Sequence, residues 1–427
     1  MTLTRKQCLL ATGTALALSA TPAFAQESTR PSTSTEPSTS ISPLVAALAP
    51  ASGNADYIDL EGSLGWASNP LVRTANSQSS IFGRASVRGV HAWSSERSAS
   101  AISGYLEGTT YFNEYDIRSI FSLNANHTQQ ISETATIYGS AGLNGDLSGQ
   151  LSNRFFNVPP FVPDPSSPLP PTVDDPDLFS FNGRSYRIFG QGGVSIQTGE
   201  RSGVGLSGGV TRAIFTNDLL DDYTTMFARG SYRLTLSERT NVGATLGLTR
   251  TQYDGSDDHS TIVNPAATLS TQLSETLSAQ ASVGVSFARV ERGATETRST
   301  NLSVNASLCR RAETESLCGR VLRNSHTSAS SRLVTTNTIG VDWSKKLDAT
   351  QSMQLSASAI RYVTEDVLNQ NHSTTYFRLA ASYSRMISQR MSGGVSIAGR
   401  SLHRKGTDSD TDISGTVFIR YRIGDLG

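Results

Sequence analysis

The stretch Leu236-Ser237-Glu238-Arg239-Thr240-Asn241-Val242-Gly243-Ala244-Thr245-Leu246-Gly247-Leu248-Thr249 is a polar turn followed by strict alternation. Val242, Ala244, Leu246 and Leu248 share one parity; Asn241, Gly243, Thr245, Gly247 and Thr249 share the other. A period of two puts alternate side chains on opposite faces of a strand, here one apolar and one polar. Asp254-Gly255-Ser256-Asp257-Asp258-His259 follows with no apolar residue. A second alternating segment then sets Val263, Ala267, Leu269 and Leu273 against Asn264, Thr268, Ser270 and Gln272. The turn returns as Leu273-Ser274-Glu275-Thr276. Two such segments bounded by turns predict an antiparallel pair. Pro265 weakens the start of the second strand, because proline cannot donate to a ladder.

The same turn recurs along the chain. It reads Ser95-Glu96-Arg97-Ser98, Ile131-Ser132-Glu133-Thr134, Gly199-Glu200-Arg201-Ser202 and Ile387-Ser388-Gln389-Arg390, with looser forms around Glu313 and Asp348. Anchors at 96, 133, 200, 238, 275, 313, 348 and 389 lie 35 to 41 residues apart, except for one interval of 67 that holds an insertion. Eight anchors and two chain ends define nine periods of two strands, so about eighteen strands are expected. A repeat this regular outranks any single motif.

Residues 1–25 read as a secretory signal: Arg5 and Lys6, the apolar run Cys8 to Ala20, then Pro22-Ala23-Phe24-Ala25, with small residues suited to cleavage before Gln26. Residues 26–54 form a Ser/Thr/Pro-rich periplasmic linker, which cannot bury enough apolar surface to order itself. Its apolar island Pro43-Leu44-Val45-Ala46-Ala47-Leu48 reads as linker or as a docking peptide. Formal net charge is zero, and losing Arg5 and Lys6 leaves −2, so charge names no partner.

Beyond the signal, no run approaches the ~18 apolar residues of a spanning helix. Only 37% of the chain is hydrophobic, which suits a transmembrane barrel because only alternate residues meet lipid. The expected fold is therefore all-β: a transmembrane antiparallel barrel over 55–427. Leu277, Ala279, Ala281, Val283, Val285 and Phe287, alternating with Ser278, Gln280, Ser282, Gly284 and Ser286, are long enough to cross a bilayer. Connections at the anchors are short. Those between them, such as Asn69 to Ser79, Asn217 to Asp222 and Glu365 to His372, are longer, as expected of periplasmic turns and extracellular loops. Trp66, Trp93 and Trp343 sit near strand ends on the apolar parity, where an aromatic belt belongs. A soluble β-sandwich is the rival fold, but it would carry a face of large apolar side chains, whereas here Gly, Ser, Asn, Thr and Arg hold the polar parity throughout. About eighteen strands leave an aqueous channel.

Parity assigns Arg84, Arg88, Arg118, Arg187, Arg229, Arg233, Arg378, Arg420 and Arg422 to the lumen, with fewer acids: Asp59, Glu61, Glu107, Asp146 and Asp342. Two readings stand open. The arginines set up a field favouring anions, or they pair with the acids and stiffen the wall. Residues 150–184 hold the insertion, where eight prolines rule out regular strand. This long loop, expected on the extracellular side, carries Phe155, Phe156 and Phe161 at one end and Asp164, Asp174, Asp175 and Asp177 toward the other. Folded into the pore, its aromatics can stack on sugar rings and its aspartates can meet lumen arginines; otherwise it is a surface loop. Cys309 and Cys318 flank a periplasmic turn in an oxidising compartment, so a disulfide between them is expected. They lack zinc spacing, and no metal or cofactor is expected. Gly203-Val204-Gly205-Leu206-Ser207-Gly208 fits GxGxxG but lies inside an alternating strand. His259, His326, His372 and His403 fall near outer loops and read as solvated. No enzyme and no nucleic-acid binding is expected.

The signal, the linker, a first strand reading Gly62-Ser63-Leu64-Gly65-Trp66-Ala67-Ser68-Asn69 and tandem hairpins to the C-terminus resemble the type 2 family of outer-membrane β-barrel porins. The resemblance covers roughly 55–427. It implies a Gram-negative outer-membrane location, association with exopolysaccharide assembly and export, and a periplasmic polysaccharide-export component as partner. Outer-membrane lipid and the barrel-assembly machinery are the further partners expected. The chain departs from the general barrel pattern at its end, Phe418-Ile419-Arg420-Tyr421-Arg422-Ile423-Gly424-Asp425-Leu426-Gly427, where the aromatic lies inward of the terminus. The leading expectation is a conduit for exopolysaccharide. A general or anion-selective porin, and a structural or adhesive barrel with glycan-binding loops, are the alternatives.

Overall fold

Alternation dictates the wall of the barrel, and register closes it. The computed structural model describes residues 54–70, 72, 78–112, 117–147, 183–365, 372–404 and 409–425. The signal segment, linker residues 26–53 and residues 150–182, with Phe155, Phe156, Phe161, Asp174 and Asp175, lie outside the described residues, and Asn54, expected at the end of the linker, instead opens the first strand.

The strands are β1 (Asn54–Ala67), β2 (Ser80–Ser94), β3 (Ser98–Tyr111), β4 (Arg118–Gln130), β5 (Ala135–Asp146), β6 (Ser185–Gly199), β7 (Ser202–Phe215), β8 (Tyr223–Ser237), β9 (Thr240–Tyr253), β10 (His259–Gln272), β11 (Leu277–Arg292), β12 (Thr295–Arg311), β13 (Glu315–Thr327), β14 (Leu333–Lys346), β15 (Gln351–Glu365), β16 (His372–Ser388), β17 (Met391–Arg404) and β18 (Asp410–Gly424). Each pairs antiparallel with its neighbours in sequence, and β1 also pairs with β18, so the 18-stranded sheet closes. Closure satisfies every edge, which is the condition for a sheet inside a bilayer. The seam runs from Tyr57 opposite Gly424 to Ala67 opposite Ser414. At the chain ends Asp425 N donates to Asp56 O at 2.7 Å, and Asp56 N donates to the Asp425 carboxylate at 2.8 Å.

The apolar parity points outward. Ile58, Leu60, Leu64 and Trp66 on β1, Val204 and Leu206 on β7, and Ile397 on β17 are all exposed, Leu206 at 60% and Ile397 at 62%. The opposite parity points inward, where Ser63 and Asp412 are fully buried. An exposed apolar belt around a closed sheet is a wall that meets lipid. From Ile58 to Trp66 the belt runs about 26 Å along the strand, or about 20 Å along the axis at a usual tilt near 40°. Trp66 lies at one edge of the belt; Trp93, Trp343 and Tyr421 lie at the other. Trp343 Nε1 donates to the Glu315 carboxylate at 2.7 Å, so its ring faces the belt while its N–H is satisfied.

The turns at the anchors are short, and side chains hold several of them. Ser95 Oγ accepts from Ser98 N, Ser274 Oγ from Leu277 N, and Asp348 accepts from Thr350 N at 2.7 Å and Gln351 Nε2 at 2.5 Å. These turns all lie at one end of the barrel, the end that by the usual asymmetry of short turns and longer loops faces the periplasm. The expectation of longer connections at the other end fails at one place: β11 and β12 are joined by Gly293-Ala294 alone. Gly293 has φ +54°, which glycine adopts freely in a two-residue hairpin. Pro265 lies within β10, paired with Leu246 of β9. Toward β11, the pairing skips from Val263–Phe287 to Ala266–Gly284. The missing N–H thus interrupts one ladder and spares the other.

Candidate functional site

The inward face forms the candidate site, and its side chains fall into two groups. The first is paired and surrounds the seam. Arg422 binds Asp59 through two parallel hydrogen bonds, Nε to Oδ1 at 2.7 Å and NH2 to Oδ2 at 2.9 Å. Arg420 Nε donates to Glu61 at 2.6 Å, and Arg84 Nε lies 3.4 Å from Glu107. Tyr105 also donates its hydroxyl to Glu107. Each ion pair joins adjacent strands, so these charges tie β18 to β1 and β2 to β3. Arg88 sits opposite Asp59, whose carboxylate is already held by Arg422. Arg118 lies over the Tyr111 ring at 5.2 Å. Asp146 is buried at the end of β5, and Arg187 lies nearby on β6.

Two further pairings are not read from the sequence. Arg400 Nε donates to Asp412 at 2.9 Å, and Arg320 lies 3.5 Å from Asp342. Asp412 also accepts from Asn69 N at 2.8 Å and Ser68 Oγ at 3.2 Å, fastening the start of the β1–β2 connection to β18. Parity alone places Arg400 and Asp412 inward, so the signal is present. Arg378 stands opposite Arg400 across β16 and β17.

The second group is on β8. Arg229 lies between Ser207 and Gly247, and Arg233 between Gly203 and Gly243. Neither has an acidic partner among the described residues. Glycine or serine on each side leaves the guanidinium groups standing over a smooth, polar wall. In the circular strand order β8 lies nine strands from β17, on the far side of the lumen from the seam. Among the described residues the ion pairs gather around the seam and at β13–β14, whereas Arg229 and Arg233 on β8, like Arg88 on β2, have no acid paired with them.

The mouth is narrowed by connections that fold inward. Leu220, between β7 and β8, and Ala329, between β13 and β14, are buried together with Tyr223 and Tyr253. Asp221 N donates to Ala329 O at 3.0 Å, and Tyr253 OH donates to Ser328 O at 2.6 Å. On the other side Val72 packs on Tyr376 and Leu402. Val72 and Ser331 hold φ of +50° and +57°, a region costly for a β-branched residue such as Val72. Burial pushes the Asp221 carboxyl above its ordinary range, against the hydrogen bond from Ser331. His259, His326, His372 and His403 lie near extracellular strand ends. Among the described residues no group of His, Cys, Asp and Glu is placed to hold a metal ion.

Cys309 and Cys318 stand directly opposite on β12 and β13, with Cα atoms 4.1 Å apart and the sulfurs bonded. They close the hairpin at the periplasmic end.

No protein-family model matches the chain, and no curated protein sequence matches it. Among solved structures, the outer membrane protein OpdK from Pseudomonas aeruginosa is 10% identical, with 87% of this chain and 99% of that chain covered, at a TM-score of 0.46. OpdQ from Pseudomonas aeruginosa is 8% identical over 87% and 99%, at 0.43. The FrpB iron transporter from Neisseria meningitidis is 8% identical over 86% and 81%, also at 0.43. The closed wall, its lipid-facing belt and its polar interior decide the class on physical grounds. The chain is an outer-membrane β-barrel.

Proposed function

We propose that this barrel is a passive conduit whose interior favours anions, and that its substrate is an acidic exopolysaccharide. The observation that carries the anionic preference is the pair Arg229 and Arg233, inward, flanked by glycine and serine, with no acid beside them among the described residues. Fixed positive charge on a wet wall raises the local concentration of anions. A glycine-lined wall also gives a polymer few side chains to catch on. The polymeric substrate rests on the resemblance of the sequence to barrels of exopolysaccharide systems.

A small-anion porin is the second reading, favoured by the inward-folded connections at Leu220, Ala329 and Val72. A deletion strain separates the two. Loss of exported polysaccharide with unchanged uptake of small anions supports the polymer conduit. Normal polysaccharide export with impaired anion uptake overturns it in favour of the porin.

A further inference from the structure

The lipid-facing wall carries a second basic feature, separate from the lumen. Arg323 of β13, Asn337 of β14 and Arg361 of β15 form one cross-strand row, with Asn337 opposite both arginines. The next outward row toward the middle of the wall is Val321, Ile339 and Ala359. These residues, with Val304 and Thr375, line a groove of about 340 Å³. Ile339 and Val321 are exposed parts of the apolar belt, so the floor of the groove is continuous with the lipid-facing surface.

The row lies at the extracellular edge of the belt. β13 and β15 run outward from the short turns at 312–314 and 347–350, and both arginines stand four residues before their strands end. Arg323 Nε donates to Leu302 O at 3.2 Å and its NH1 to Asn337 Oδ1 at 2.9 Å. Asn337 in turn donates to Arg361 O at 3.4 Å. These bonds orient the Arg323 guanidinium and leave its other N–H groups free to bind. Neither arginine has an acidic partner among the described residues. Several other outward arginines near this rim do: Arg289 with Glu296 at 3.0 Å, Arg298 with Glu296 at 2.5 Å, and Arg212 with Asp254. Arg250 of β9, between Met226 and Thr261, has no acid paired with it among the described residues, but the next arginine in its row, Arg289, is the one held by Glu296.

We propose that this groove binds one phosphorylated glycolipid of the outer leaflet, its phosphate on Arg323 and Arg361 and an acyl chain along Val321, Ile339 and Ala359. The guanidinium fork matches a phosphate in geometry and charge. Two strand spacings separate the arginines by about 10 Å at the Cα atoms, so long side chains converge on one phosphate or hold two on adjacent sugars. Asn337 and Thr375 offer amide and hydroxyl groups to sugar hydroxyls. A soluble anion would meet the phosphate contacts without the apolar floor. Unpaired arginines that merely reach up to water would need neither.

The test uses the full-length protein purified in neutral detergent, with binding read by native mass spectrometry. The probes are bisphosphorylated lipid A, the same lipid without phosphates, and inorganic phosphate. The wild-type barrel retains one bisphosphorylated lipid, and R323Q/R361Q weakens that binding about tenfold. Dephosphorylated lipid binds the wild type as weakly as the intact lipid binds the variant. Heat-modifiable migration verifies that the variant is folded. Should it fail to fold, A359F fills the groove while keeping both arginines, and it too weakens lipid binding. Equal binding by wild type and folded variants overturns the proposal. So does full displacement of the lipid by excess inorganic phosphate, which would mark a free-anion site.

Discussion

Replacing Arg229 and Arg233 by serine removes two positive charges from the lumen without touching an ion pair. An 18-stranded barrel has a backbone radius of roughly 18 Å at usual spacing and tilt. Arginine side chains reach inward, so an ion on the axis passes about 10 Å from each guanidinium. In water each charge then contributes about 0.4 kcal/mol before screening. At 0.1 M salt the Debye length is about 10 Å, which reduces the two together to about 0.3 kcal/mol. Anion and cation feel opposite signs, so their permeability ratio changes by about 0.6 kcal/mol, or about threefold. At about 0.01 M the same arithmetic gives about eightfold, and at about 1 M almost nothing. Reversal potentials across planar bilayers under a salt gradient read this ratio directly. A change independent of salt, or no change at low salt, refutes the electrostatic reasoning.

Three further outcomes follow from particular contacts. Mass spectrometry of non-reduced peptides finds Cys309 joined to Cys318, and their replacement by serine lowers stability to urea by about 2–3 kcal/mol, the entropy of so short a loop; two free thiols would contradict this. Asp412→Ala leaves Arg400 without the carboxylate it holds inside the wall and costs about 3–5 kcal/mol, seen as a lower temperature for the heat-induced shift on gels; an unchanged shift would contradict the pairing. Thr350, donating through its backbone N–H and hydroxyl, holds the Asp348 carboxyl below its usual range. A depressed folded pKa gives stabilisation that is fully present above the ordinary carboxylate pKa and lost as pH falls through the folded value. Proteolysis at 347–350 therefore rises only in acid, and Asp348→Asn abolishes that pH dependence; unchanged dependence in the variant would refute the assignment.

The wall is legible in the sequence because its two determinants are local. Turn residues at a regular spacing set the strand count, and parity sets the face, as for Arg229 and Leu246. Ion pairs are less legible. Arg422 and Asp59 meet only because the seam brings β18 against β1, and no local pattern encodes a register between residues so distant in sequence. Arg400 and Asp412 are closer and stand directly opposite, so the alternation there is enough to reveal them. The mouth is least legible. Leu220 lies in the polar connection Asn217 to Asp222, which reads as a loop, and Ala329 in a connection with no motif of its own, yet they bury one another across the opening. Their contact depends on where each connection leaves the closed barrel, which is a property of the whole ring.

The most direct test of the central claim, a water-filled lumen through a closed outer-membrane wall, is single-channel recording of the purified full-length protein in a planar bilayer. The account predicts steady, ohmic conductance that prefers anions at low salt. A folded, heat-modifiable protein that stays electrically silent would contradict it.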